Sequence, residues 1–196
     1  MPRRPRDVSP GLHHAWVGAT GGWDYFLDEV DRVAWVRFLV ATAAERQWTC
    51  VGFCQMSTHV HLLLDIPDGS LPTGMRDLNR EYSCAFNLRH GRKGTFVRSR
   101  FGSRRIGGGN DLLAAYAYVV LNPVAEHLCR RPEEWRWSSY RTTVGIAGDF
   151  SFVDGTRVIG EAGGSQDALR RLVESAARAR TERTRPEPGS GRVLRS

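Results

Sequence analysis

Two histidines one residue apart have the spacing of a metal-binding pair. His59 and His61 open the apolar run HVHLLLDI, residues 59–66. Side chains alternate between the faces of a strand, so both imidazoles lie on one face and the other face is wholly apolar. Their bases are then separated by roughly 6.5–7 Å, a span that two imidazoles can close around one divalent cation. The pair predicts a metal site, and the plainer alternative is a half-exposed strand face.

A tyrosine and an asparagine one helical turn apart supply groups that such a metal would need. On a helical wheel of residues 111–122, Tyr116 falls in the apolar arc, whereas Tyr118 points away from it together with Asn122. A phenol is a poor nucleophile at neutral pH. A metal that polarises a phosphodiester would favour attack by the phenol on the phosphorus, which leaves a covalent phosphotyrosine. The Asn122 amide oxygen would complete the coordination, and imidazole with hard oxygen suits Mg²⁺ or Mn²⁺.

Cysteine offers a second way to complete a metal site. Cys54 with His59 and His61 has zinc-ligand character, but no second cysteine cluster completes a tetrahedron. We therefore expect the four cysteines to be small core residues that a cytosolic setting keeps reduced.

Basic residues concentrate in the middle of the chain and predict a polyanionic partner. The net charge is +7, and only one of the 28 Lys and Arg residues is a lysine. Arginine is suited to forked contacts with phosphate oxygens. Nine of these residues fall between positions 76 and 105, namely Arg76, Arg80, Arg89, Arg92, Lys93, Arg98, Arg100, Arg104 and Arg105. We expect them to bind nucleic acid, the alternative being a solvated basic face.

Strands and helices alternate along the part of the chain that positions these residues. Strands are predicted over 13–20, 48–56, 59–66 and 94–106, and helices over 27–47, 71–90, 111–122 and 165–180. The order predicts an α+β fold of the ferredoxin-like, split β-α-β kind, in which helices pack on an antiparallel sheet. In the first helix the valines and Phe38 are expected to be the apolar residues, and Ser70 is expected to cap the second helix.

The predicted domain organisation has one folded unit with flanking segments. Residues 1–11 form a disordered basic N-terminus, 12–145 the domain, 146–180 an extension with a helix, and 181–196 a disordered tail. The sequence has no apolar stretch of bilayer-spanning length. Its basic, proline-rich start leads into no apolar region, so we do not expect it to act as a secretory signal. We expect a cytosolic, nucleoid-associated protein, either a monomer or a homodimer.

Four blocks of the sequence resemble a known family. FCQMSTHVHLLLDIPDGSL resembles the histidine hairpin of the HUH single-strand DNA transposases, specifically the REP-associated tyrosine transposases with their transposase IS200-like domain. MRDLNREYSCAFNLRHGRKGTFVRSRFGS resembles the family's arginine-rich helix and following strand, YVVLNPV its tyrosine helix, and WRWSSY its downstream tryptophan motif. The resemblance spans about residues 12 to 143.

The resemblance implies a reaction and roles for the site residues. It makes Tyr118 the nucleophile, His59 and His61 the metal pair, and Asn122 the third ligand. The family cuts single-stranded DNA near a hairpin, holds the 5′ phosphate on tyrosine and frees a 3′ hydroxyl. It thereby transfers strands in DNA transposition and recombination. Two alternatives stay open: a domesticated, non-catalytic binder of hairpin DNA or RNA, and a metal-independent RNA endonuclease that uses a histidine as acid or base.

Overall fold

A computed structural model describes residues 9–98 and 100–184, which contain four strands and seven helices. The strands are β1 (Gly11–Gly18), β2 (Thr49–Gln55), β3 (His59–Ile66) and β4 (Gly102–Arg105). The helices are α1 (Glu29–Arg46), α2 (Leu71–Arg89), α3 (Asn110–Val120), α4 (Asn122–Ala125), α5 (Tyr140–Thr143), α6 (Thr156–Glu161) and α7 (Gln166–Thr184). A single 3₁₀ turn spans Pro132–Glu134. None of these helices combines the length and apolarity needed to cross a bilayer.

The strands form one sheet in the order β2-β3-β1-β4, and every neighbouring pair is antiparallel. With α1 and α2 in the two crossovers, this is the predicted α+β fold with helices on an antiparallel sheet. The two central strands are β1 and β3, and their register places Trp16 opposite His61. On its other side β1 pairs with β4, where Trp16 lies opposite Gly102.

Apolar side chains fill both faces of the sheet. Helices α1 and α2 pack on one face, in a core that includes Val60, Leu62 and Leu64 of β3. A second core on the opposite face joins Leu63 to α3, α6 and α7. The histidines therefore lie on a strand face that is itself largely covered. Leu169 and Val173 of α7 are fully buried in this second core, so the C-terminal segment packs against α3.

Helix α1 buries a different face from the one expected. Val30, Val33 and Val40 are exposed, and the buried side includes Trp35 and Leu39. That side also carries two buried charged residues, Asp31 and Arg32, whose burial the spacing of apolar residues does not predict. Arg32 is buried because its guanidinium donates to the carbonyl oxygen of Gln55 at 3.2 Å and lies 4.8 Å from the Phe26 ring centroid.

Three smaller expectations differ from the structure. Ser70 precedes α2 but makes no capping bond, because its Oγ accepts a hydrogen bond from the Trp48 indole at 2.8 Å. Of the cysteines, Cys50 and Cys54 are core residues as expected, whereas Cys84 is exposed and Cys129 is half-buried. The fourth strand is short: β4 covers only the end of the predicted range 94–106.

The predicted domain borders at 12, 145 and 180 stay predictions. Strand β1 begins at Gly11, and α7 continues to Thr184, past the predicted helix end. The segments 1–8 and 185–196, where most of both predicted disordered ends fall, lie outside the described residues.

Candidate active site

A cavity of about 640 Å³ between the sheet and α3 brings the predicted site residues together. Its walls are His14, Trp16, His59, His61, Arg104, Ala114, Ala115, Tyr118, Asn122 and Glu126. Strand β3 supplies the histidine pair, and the tyrosine and asparagine come from α3 and the start of α4. Residues predicted from two separate stretches of sequence thus face one space.

Three imidazoles form a continuous row across the floor of this cavity. The Nε2 atoms of His59 and His61 are 3.1 Å apart, and Nδ1 of His61 is 2.9 Å from Nε2 of His14. At the outer end, Nδ1 of His59 is 3.0 Å from the Thr58 hydroxyl. His14 reaches His61 because antiparallel pairing makes it a diagonal neighbour of that residue on the same sheet face.

Burial keeps these imidazoles neutral. It lowers the pKa of His61 to about 3 and the pKa of His14 to about 4, and it lowers the pKa of His59 as well. Nitrogen ligands must be neutral to bind a cation. When Nδ1–H of His61 donates to His14, and Nδ1–H of His59 donates to Thr58, both Nε2 lone pairs turn toward the same point.

The spacing of these two nitrogens suits one cation. Two ligands bound at right angles about 2.1 Å from an octahedral ion lie roughly 3.0 Å apart, close to the 3.1 Å between the Nε2 atoms. Within residues 9–98 and 100–184, no group of three or more His, Cys, Asp or Glu side chains is arranged to hold a metal. A cation at this pair would therefore need a ligand of another type, and the described residues supply no completing ligand for a zinc site with Cys54.

Tyr118 faces the histidines of its own chain. Its ring centroid lies 5.5 Å from the His61 ring and 5.7 Å from the His14 ring, and its side chain is 44% exposed. Tyr116, two residues earlier, is fully buried in the second core. The helical wheel therefore separates the two tyrosines correctly. The guanidinium carbon of Arg180 on α7 lies 5.5 Å from the Tyr118 ring centroid.

Asn122 lies one turn after Tyr118, where the helix is interrupted. Helix α3 ends at Val120, and the four-residue α4 begins at Asn122 with Pro123 in its first turn. The Asn122 Nδ2 group donates to the Tyr118 carbonyl oxygen at 2.7 Å, which fixes the amide and leaves Oδ1 as the possible ligand atom. Sequence reasoning missed Glu126, one further turn along, although its i+4 spacing from Asn122 is a readable signal.

His14 is the main correction to the sequence analysis. The sequence indicates no partner for His13, His14, His90 or His127 and so favours surface or capping roles for all four. In the structure His13 is fully buried and His14 nearly so. The contact between His14 and His61 depends on the register of β1 against β3, which no local pattern in the sequence indicates.

Of the nine basic residues, four line the second or third cavity and Arg104 lines the first. Arg98 and Arg100 line a second cavity that shares Trp16 and His59 with the first, and the same two arginines line a third with Arg76 and Arg80. Most of the others are held by contacts within the chain: Arg104 pairs with Asp111, Arg105 donates to the Pro10 carbonyl oxygen, and Arg92 lies over the Trp23 ring. Lys93 is exposed.

Arg89 has a structural role. Its guanidinium contacts Asp31 and Asp28, each at 2.6 Å, and Asp31 is 2% exposed. The hydrogen bonds from Arg89 lower the pKa of Asp28 to about 2. Nε2 of His90 also contacts Asp31, at 2.9 Å.

Replacing Arg89 with Met is expected to destabilise the fold. The change removes the guanidinium from the buried Asp31 carboxylate and leaves it the Leu27 backbone N–H and His90 as partners. We therefore expect a loss of about 2 kcal/mol in the free energy of unfolding, measured by urea denaturation. The exposed Arg76→Met is the control and should change it by less than about 0.5 kcal/mol. Equal stability of the two variants would contradict this role.

Comparison with known proteins adds information about the fold. No family model matches the sequence, and no curated protein matches it. A solved structure described as a REP-associated tyrosine transposase bound to a REP hairpin is similar, with a TM-score of 0.65. The two chains share a fold. The match covers 80% of this chain and 94% of the other, at 15% sequence identity.

Proposed function

We propose that this chain is a metal-dependent, single-tyrosine DNA endonuclease and strand transferase that acts on single-stranded hairpin DNA. The observation that carries the proposal is the placement of the exposed Tyr118 ring 5.5 Å from the ring of His61, in a cavity shared with His59 and Asn122. The shared fold with a hairpin-bound transposase supports the choice of substrate. So do Arg98 and Arg100, which line both the second cavity and the third.

In this proposal three residues of the cavity bind the metal ion and Tyr118 attacks the phosphodiester. Nε2 of His59, Nε2 of His61 and Oδ1 of Asn122 would hold Mg²⁺ or Mn²⁺, which when bound would polarise the scissile phosphodiester. The Tyr118 oxygen attacks the phosphorus and gives its proton to water. The bond to the 3′ oxygen breaks, and that oxygen takes a proton from water and leaves as a hydroxyl.

The covalent phosphotyrosine conserves the free energy of the phosphodiester bond that is broken. The 5′ phosphate stays on Tyr118 as a diester, so a 3′ hydroxyl from another strand can attack it and release the tyrosine. The reaction is therefore a transesterification that needs no ATP. A non-catalytic binder would have no use for a neutral histidine pair within reach of an exposed phenol.

The test is the polarity of a covalent adduct. The full-length protein is incubated with Mn²⁺ and a pool of single-stranded hairpins with randomised stems and flanks, then resolved on a denaturing gel. A 3′ label is expected to travel with the protein, and a 5′ label should appear on a shortened strand that a polymerase can extend. Cleavage without any adduct would favour the metal-independent nuclease, and binding without cleavage the non-catalytic binder.

A further inference from the structure

Trp16 is a large apolar side chain that stays exposed beside the candidate active site. Its neighbours on β1, Ala15 and Val17, are almost completely buried, whereas Trp16 is 39% exposed. It lines the cavity that holds Tyr118 and also the adjoining cavity of about 190 Å³. The indole therefore forms part of the wall between the two spaces.

A glycine on the neighbouring strand sets the position of the indole. Gly102 of β4 pairs with Trp16, and a Cβ atom at that position would lie only 2.1 Å from Cε2 of the indole. The ring therefore lies across the glycine backbone, in space that any larger residue would occupy. The His14 ring, 5.1 Å away between centroids, borders it on the cavity side. These contacts hold an aromatic surface at the edge of the site before any substrate arrives.

Cationic side chains continue the path away from the tyrosine. The second cavity contains Arg98 and Arg100, and its lining also includes the exposed Trp23. Arg98 is held in place because its Nε donates to the Ala19 carbonyl oxygen at 3.0 Å. The third cavity, of about 430 Å³, is lined by the same two arginines. The three spaces are thus linked by shared walls, first Trp16 and His59, then Arg98 and Arg100.

An alternation of aromatic and guanidinium groups is how proteins hold unpaired nucleic acid. Bases stack on aromatic faces while arginines follow the phosphates, and stacking requires a base that is not paired in a duplex. We propose that Trp16 stacks an unpaired base next to the scissile phosphodiester, and that Arg98 and Arg100 bind the following phosphates as the strand leaves the catalytic cavity. This inference rests on the proposed function and adds the path of the substrate to it.

Binding measurements separate this role from catalysis. Full-length protein carrying Tyr118→Phe, which cannot form the adduct, is titrated into a dye-labelled twelve-residue oligothymidine and, separately, into a duplex of the same length, by fluorescence anisotropy. Trp16→Leu is expected to weaken binding of the single strand by about tenfold or more and to leave duplex binding unchanged. Trp16→Tyr, which keeps an aromatic face, should bind the single strand within about threefold of the parent.

Two further variants accompany Trp16→Leu: the first should reproduce the loss of binding, and the second is a control that should not. Gly102→Val keeps Trp16 but occupies the space of its ring, so single-strand binding should fall as it does in Trp16→Leu. Ile146→Ala, an exposed apolar residue that lines none of the three cavities, should bind as the parent does. Circular dichroism checks that each variant is folded.

Single-strand binding that survives Trp16→Leu, or an equal loss for duplex and single strand, overturns the stacking role. Adduct formation by the wild-type chain is scored independently, so the two proposals can fail separately.

Discussion

Tyr118→Phe is expected to abolish the covalent adduct and to lower cleavage of hairpin DNA by at least about 10³-fold. The change removes one oxygen atom from an exposed ring and leaves the packing of α3 in place. The readout is a denaturing gel of the Mn²⁺ reaction, with binding of uncleaved hairpin measured in parallel. Binding should stay within about twofold of the wild-type value, because phosphate and base contacts do not use the phenol oxygen.

The matched control for this experiment lies two residues away. Tyr116→Phe alters the same kind of side chain on the same helix, but Tyr116 is fully buried in the second core. This variant should still form the adduct. An adduct that persists in Tyr118→Phe and disappears in Tyr116→Phe would overturn the assignment of the nucleophile.

His61→Ala is expected to give the second large effect. Removing one of two converging Nε2 atoms should weaken Mn²⁺ binding by at least about 100-fold and reduce cleavage in proportion. Isothermal titration of Mn²⁺ into the DNA-free protein measures the affinity directly, so the result does not depend on having found a substrate. His127→Asn is the control: His127 is exposed and has a φ of 57°, a conformation that asparagine tolerates.

His14→Phe should give an intermediate result in the same titration. His14 contacts Nδ1 of His61, so its loss frees the orientation of a proposed ligand without removing that ligand. Such partners typically contribute about 10-fold to 100-fold in metal affinity. Mn²⁺ binding that is unchanged in both His14→Phe and His61→Ala would show that the histidine row does not hold the ion.

The parts of the site that sequence predicts well are those set within one element. Alternation along β3 puts His59 and His61 on one face, and 3.6-residue periodicity separates Tyr118 from Tyr116. Each pattern needs only the geometry of a single strand or helix. That the two elements face each other is what the fold adds, and periodicity alone says nothing of it.

The parts that sequence misses are set by pairing between elements. His14 joins the row because β1 pairs with β3 in one particular register, and Trp16 stays exposed because β4 brings a glycine beneath it. The buried face of α1 is missed for a related reason. Asp31 and Arg32 are stabilised in the core by partners that include Arg89 on α2 and Gln55 on β2, which lie far away in sequence.

The two sides of the candidate active site are built differently. The histidines belong to β3, a central strand hydrogen-bonded on both edges, whereas Tyr118 belongs to a helix held against that sheet by side-chain contacts, which are apolar packing and the Arg104–Asp111 ion pair. Small changes in the docking of α3 would therefore shift Tyr118, the proposed nucleophile, relative to the histidine pair on the sheet. Substitutions of the apolar residues behind Tyr118, at positions away from DNA and metal, would then be enough to change the turnover rate. Such chains would still bind DNA and the metal ion equally well.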